Sequence, residues 1–169
     1  MKHFLILVLF LFIAFFSNAQ KAIVTAVHDG DSYGVRFINR PDTTIWVRLH
    51  NVDCPEVIFY VTKDQPFGRE AGKLMREFLK GDTVEVKFVY FDTFKRPVCD
   101  VFKDSVNLTD YVLEHGYGWF LVDSATTLER ENEIKEMQMY AQNKKLGLWG
   151  LKGRKVRPET WRRKYSRIQ

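Results

Sequence analysis

The chain has 169 residues, with 26 Lys and Arg against 21 Asp and Glu, a net charge of +5. Aromatic residues make up 15% of it, which argues against a disordered chain, and two cysteines are too few for a disulfide scaffold. The charge is unevenly placed: residues 150–169 hold eight basic and one acidic residue, whereas 20–149 are net −3, so the basic balance reports the tail.

Residues 1–19 read as a secretory signal peptide. Lys2 precedes an apolar run from Phe4 to Phe16, and Ser17 and Ala19 suit cleavage after Ala19. The run is short of the ~20 residues that span a bilayer. The expected product is exported, secreted or periplasmic, and without a membrane partner. It holds one domain over 20–149 and a basic C-terminal tail over 150–169.

Residues 21–28 and 31–38 alternate in polarity around Asp29-Gly30 and predict two strands joined by a tight turn. Residues 43–52, TTIWVRLHNV, predict a third. Residues 69–80 place Ala71, Leu74, Met75, Phe78 and Leu79 on one helical face, with Gly81 as the stop. Residues 83–90 and 96–102 predict two further strands, the second with Pro97 near its start, where proline is tolerated. Asn107 is placed to cap a short helix ending before Gly116. Thr126 and Glu129 have the spacing of a capping box for a longer helix ending near Gly147. The order predicts an α+β, mainly β fold: a five-stranded OB-type Greek-key barrel with about three helices.

The chemistry gathers at strand ends. Asp31 opens the second strand. In VRLHNVDCPE, Arg48 lies on the face opposite Val47 and Leu49, and Pro55 prevents Asp53 and Glu56 from sharing a helix. Arginine is the side chain suited to bidentate phosphate binding. Arg96 stands in the turn DTFKRP before the fifth strand. Taken singly, each is compatible with a solvated loop or a surface ion pair.

The ordered set HDGDS, VRLHNVDCPE, FGREA and DTFKRP resembles the staphylococcal-nuclease-like family from about Ile23 to Trp149, and KKLGLWG resembles its end-of-domain pattern. The resemblance implies an OB-fold, Ca2+-dependent endonuclease acting on DNA and RNA. In that pattern Asp31 and Asp53 ligate the metal through carboxylates and Cys54 through its backbone carbonyl. Glu56 is the general base, and Arg48 and Arg96 grip the phosphate. The family cleaves the 5′ P–O bond and leaves 3′-phosphate ends. A monomer that prefers single strands is expected.

Departures fall on the base-binding side. Ser32 follows Asp31 where the family has threonine. Phe94 and Val122 stand where it has tyrosines that stack on nucleotides. The loop after Glu56 is apolar, and its Ile58, Phe59 and Tyr60 suit loop packing or base stacking. Two other functions stay open: a non-catalytic nucleic-acid-binding OB module, and a phosphodiesterase on a small nucleotide. The cysteines are expected to be unpaired thiols. The tail is expected to tune nucleic-acid binding and to hold no residue of the site, with Trp161 packed on the barrel.

Overall fold

Alternation builds the barrel wall. In β1 (Gln20–Val27), Ala22, Val24 and Val27 are buried; in β2 (Ser32–Phe37), Tyr33 and Val35; in β3 (Ile45–Leu49), Val47 and Leu49. A two-residue β4 (Val52–Asp53) follows a turn at Asn51, which adopts a left-handed φ of 62°. In the computed structural model, residues 19–57, 63–79 and 81–165 are described; the predicted signal peptide, apart from Ala19, and Ile58, Phe59 and Tyr60 lie outside them.

The first helix, α1 (Gly68–Leu79), buries Ala71, Met75 and Leu79 at a spacing of four, as the sequence predicts, and Gly81 follows at φ 76°. β5 (Thr83–Phe91) and β6 (Pro97–Lys103) come next. Short β7 (Val106–Asn107) leads into α2 (Leu108–Glu114), whose first turn Asn107 caps by accepting from Thr109 N. β8 (Trp119–Phe120) precedes α3 (Leu128–Lys144), and α4 (Pro158–Tyr165) ends the described chain.

The sheet order is β3-β2-β1-β5-β6-β7, and β3 also pairs with β6 in parallel, Arg48 opposite Val98 and Leu49 opposite Cys99. That last pairing closes five strands into a mixed barrel, the OB fold expected. Closure removes the open edges of the sheet. Tyr33, Val35, Leu49, Val84 and Val101 fill the barrel, and α1 packs along β1. Each such side chain contributes roughly 1.5–3 kcal/mol by leaving water.

Two local details differ from the sequence reading. The third predicted strand divides into β3 and β4 around Asn51, whose side chain donates to Leu121 O (3.1 Å) and to Thr126 Oγ1 (2.6 Å). Thr126 is thereby used to pin the turn, and Thr127 caps α3 instead, accepting from Arg130 N at 3.2 Å. Cys54 and Cys99 are both buried free thiols, as expected.

Candidate active site

Cross-strand register assembles the site. Arg48 on β3 pairs with Ser32 on β2, next to Asp31. Its Nη1 donates to Asp31 Oδ1 at 2.9 Å, and its Nη2 donates to Asp53 Oδ1 at 2.5 Å. Asp53 is held from behind, because β4 pairs with β8, Asp53 opposite Trp119. β8 is fixed in turn by Gln138 of α3, which accepts from Phe120 N at 2.9 Å. Asp31 also accepts from Ser32 Oγ at 3.0 Å and from Cys54 N at 2.6 Å. Burial opposes the charge on Arg48, but Asp31 and Asp53 outweigh it and hold the guanidinium pKa above its ordinary value.

The Cys54 thiol is wedged behind this cluster. A Cβ on Gly30 would lie 2.6 Å from its sulfur, and one on Gly118 would lie 2.8 Å from it. The side chain therefore faces packing, and only the backbone of Cys54 is placed to serve the site. Burial, then the neighbouring Asp31, push its thiol well above the usual range, which keeps it protonated.

Glu56 follows on the turn after Pro55. Gln65 clamps its backbone, donating its own N–H to Glu56 O at 2.9 Å and accepting from Glu56 N at 3.1 Å. Burial, then the charge of Asp31, raise the pKa of Glu56 above the ordinary glutamate range. Arg96 sits in the β5–β6 turn, where its Nε donates to Asp92 Oδ2 at 2.8 Å. This bond engages Nε and leaves the two Nη groups for an anion. Arg48, Glu56 and Arg96 line one cleft of about 720 Å³, with Tyr90, Phe94 and Trp46 also on its walls. Phe94 is 79% exposed, so its ring presents a face to solvent; Val122 is 39% exposed.

The tail corrects the sequence reading. Trp161 is buried as expected, but Arg162 enters the site. Its Nη1 donates to Asp53 Oδ1 at 2.9 Å, its Nη2 to Asp53 Oδ2 at 3.1 Å, and its Nη1 also to Glu56. The reason is tertiary: Gln65 donates to Val156 O at 2.6 Å, which ties the segment before α4 to the clamp on Glu56. Arg162 lines the same cleft as Arg48 and Arg96. What the local sequence signals is docking alone, through a Pro-started segment with Trp161 beside the arginine, and not the carboxylates that Arg162 meets.

Asp29, read from sequence as a turn residue, is also part of the cluster. It is buried and accepts from Asp31 N at 3.1 Å. Burial, then Asp31 and Glu56, push its pKa well above the aspartate value. Four carboxyl groups, Asp29, Asp31, Asp53 and Glu56, thus face two guanidinium groups, a formal excess of −2. Oxygen donors in such excess fit a hard divalent cation. Among the described residues no three acidic, cysteine or histidine side chains stand ready-made around a metal position, and the arginines hold the carboxylate oxygens.

Comparison with known proteins agrees with this geometry. A family model described as staphylococcal nuclease homologue matches residues 46–150. The chain is 29% identical over 150 residues to "Endonuclease Htp3" of Saprolegnia parasitica, across 79% of this chain and 71% of that protein. It is 30% identical over 139 residues to a "Probable endonuclease LCL3" of Komagataella phaffii, across 78% of this chain and 60% of that protein. An "Uncharacterized endonuclease" of Escherichia coli O157:H7 is 28% identical over 140 residues, across 82% of each chain. With the barrel, the arginine-carboxylate cluster and the family match in agreement, the chain belongs to the staphylococcal nuclease homologue family and is a phosphodiester-hydrolysing nuclease.

Proposed function

We propose that this nuclease is an exported, Ca2+-dependent endonuclease that hydrolyses DNA and RNA, single strands preferred, and leaves 3′-phosphate ends. The observation that carries the reading is one cleft lined by Glu56, Arg48 and Arg96, with Asp31 and Asp53 hydrogen-bonded to Arg48. Asp31, Asp53 and the Cys54 carbonyl would hold the cation, which when bound supplies positive charge to a phosphate oxygen.

The chain's own groups do the rest. A guanidinium has five N–H donors, and the bonds to Asp31 and Asp53 use two of those on Arg48, so others are left for phosphate. Arg96 offers its Nη pair from the opposite turn. Together they favour a five-coordinate phosphorus bearing extra negative charge. Glu56 takes a proton from the attacking water as oxygen bonds to phosphorus. The bond to the 5′ oxygen breaks, the departing oxygen takes a proton from solvent to become a hydroxyl, and Glu56 returns its proton to solvent. A raised pKa suits Glu56 to that work, since a stronger base accepts the proton more readily.

Single strands fit because a base must leave its stack to reach the aromatic walls of the cleft. Export rests on the sequence of residues 1–19.

The test is end-group analysis of limit digests of single-stranded DNA and of RNA. Fragments whose 5′ ends a kinase phosphorylates directly, and whose 3′ ends a polymerase extends only after dephosphorylation, support the reading. Fragments carrying 5′-phosphates would place bond cleavage on the other side of phosphorus and overturn it.

A further inference from the structure

The proposed metal ligand Asp53 is already engaged at both oxygens, with three of its roughly four lone-pair sites taken. Its Oδ1 accepts from Arg48 and Arg162, and its Oδ2 accepts from Arg162. Glu56, the proposed base, is also taken by Arg162. A guanidinium laid across both oxygens of one carboxylate and onto a second competes directly for the lone pairs that a cation or an attacking water would need. The charge count alone leaves room for both cations; the oxygen geometry decides between them.

The element that delivers Arg162 is lightly held. α4 has eight residues, too few to persist as an isolated helix in water. Its anchor Trp161 is buried, yet its Nε1 has no hydrogen-bond partner among the described residues. An unsatisfied buried donor works against docking. Ties among the described residues include the burial of Pro158, the Gln65 bond to Val156 O and the Arg157 guanidinium over the Phe120 ring at 5.7 Å. Arg162 itself is 38% exposed at the side chain and lines the open cleft, so it can leave without opening the core.

We propose that Arg162 is the resident cation of the active site and that α4 is a strap: a divalent cation displaces Arg162 from Asp53 and Glu56, and the strap swings away as the site loads. The inference rests on the metal-dependent reading above. The displaced arginine leaves Asp53 for the metal and Glu56 for its water. Arg163 and Lys164, already exposed on α4, gain the freedom to meet a substrate phosphate chain at the cleft.

The experiment is calorimetric titration of CaCl2 into the wild-type protein, Arg162→Gln and Arg163→Gln, each first checked for native far-UV circular dichroism. Arg163 lies on the exposed face of the same helix, so its variant makes the same change in net charge without touching Asp53 or Glu56. Arg162→Gln is expected to bind calcium about ten-fold more tightly than wild type, and Arg163→Gln within about two-fold of it. Amide hydrogen exchange of residues 158–165 in wild type is expected to speed up when calcium is added. Measurable wild-type binding that Arg162→Gln leaves unchanged or weakens overturns the strap alone, as does calcium-independent exchange in α4. Should neither wild type nor variant bind any divalent cation, the strap and the metal-dependent reading fall together.

Discussion

Arg48 and Asp31 meet at 2.9 Å because β2 and β3 pair with Ser32 opposite Arg48. The contact is a consequence of register: a one-residue slip would send Arg48 into the barrel and Val47 into the cleft.

Arg48→Lys is therefore expected to fail twice. A single ammonium cannot span Asp31 and Asp53 as the two Nη groups do, so the carboxylates lose part of their compensation. Breaking a buried pair costs about 3–5 kcal/mol when one charge is removed, and a retained but misplaced charge should cost less. Denaturant unfolding should show a loss on the order of 1–2 kcal/mol. Turnover should fall by about 10²-fold or more.

Glu56→Gln should separate chemistry from binding. The amide keeps the size of the side chain but accepts no proton. Turnover is expected to drop ~10²–10⁴-fold while the Michaelis constant for single-stranded DNA changes little. Equal losses in both constants would assign Glu56 to substrate binding.

Asp29→Asn should stabilise the protein. The amide oxygen can still accept from Asp31 N, and one buried charge beside Asp31 and Glu56 disappears. Because the folded pKa of Asp29 is raised, its ionisation drains stability as pH climbs above the unfolded value of about 3.8. The variant should gain on the order of 1 kcal/mol at pH 8 and little near pH 3. Thermal melts at the two pH values check it.

His50 should give the opposite slope. Its Nδ1 lies 3.1 Å from Asp100 Oδ1 and its Nε2 lies 3.2 Å from Asp123 Oδ2. Only the protonated ring donates to both. Burial opposes that charge, but the hydrogen bonds to Asp100 and Asp123 outweigh it and raise the pKa. The stabilisation is complete below about pH 6.5 and is lost as pH rises through the folded value. The stability difference between wild type and His50→Asn should therefore shrink above pH 6.5; a difference that stays constant from pH 5 to 9 would contradict the pairing.

The barrel and most of the site were legible because they follow from local pattern. Alternation placed Arg48 opposite Val47 and Leu49, and proline after Cys54 broke the chain so that Asp53 and Glu56 stood on a turn. Arg162 was not legible, since it reaches Asp53 across more than a hundred residues and nothing local in RPETWRRK points at a carboxylate. Asp29 was hidden for a different reason. Asp-Gly reads as a hairpin turn wherever it occurs, and its burial depends on the approach of α1, where Gly72 lets the helix pass close to the Asp29 backbone. Thr126 has the capping-box spacing with Glu129, but its contact with Asn51, remote in sequence, takes it out of that role and leaves the cap to Thr127.

The central claim is that the carboxylate cluster under Arg48 works with a divalent cation and that Glu56 drives the chemistry. The most direct measurement is the initial rate of cleavage of long single-stranded DNA by wild type and Glu56→Gln, with millimolar calcium and with excess chelator. Calcium binding is expected at the weak end of calcium sites, on the order of 10⁻⁴–10⁻³ M. Cleavage should be strong only for wild type with calcium, fall to background in chelator, and fall ~10²–10⁴-fold in the variant. Full wild-type rates in excess chelator, or an undiminished rate in Glu56→Gln, would contradict it.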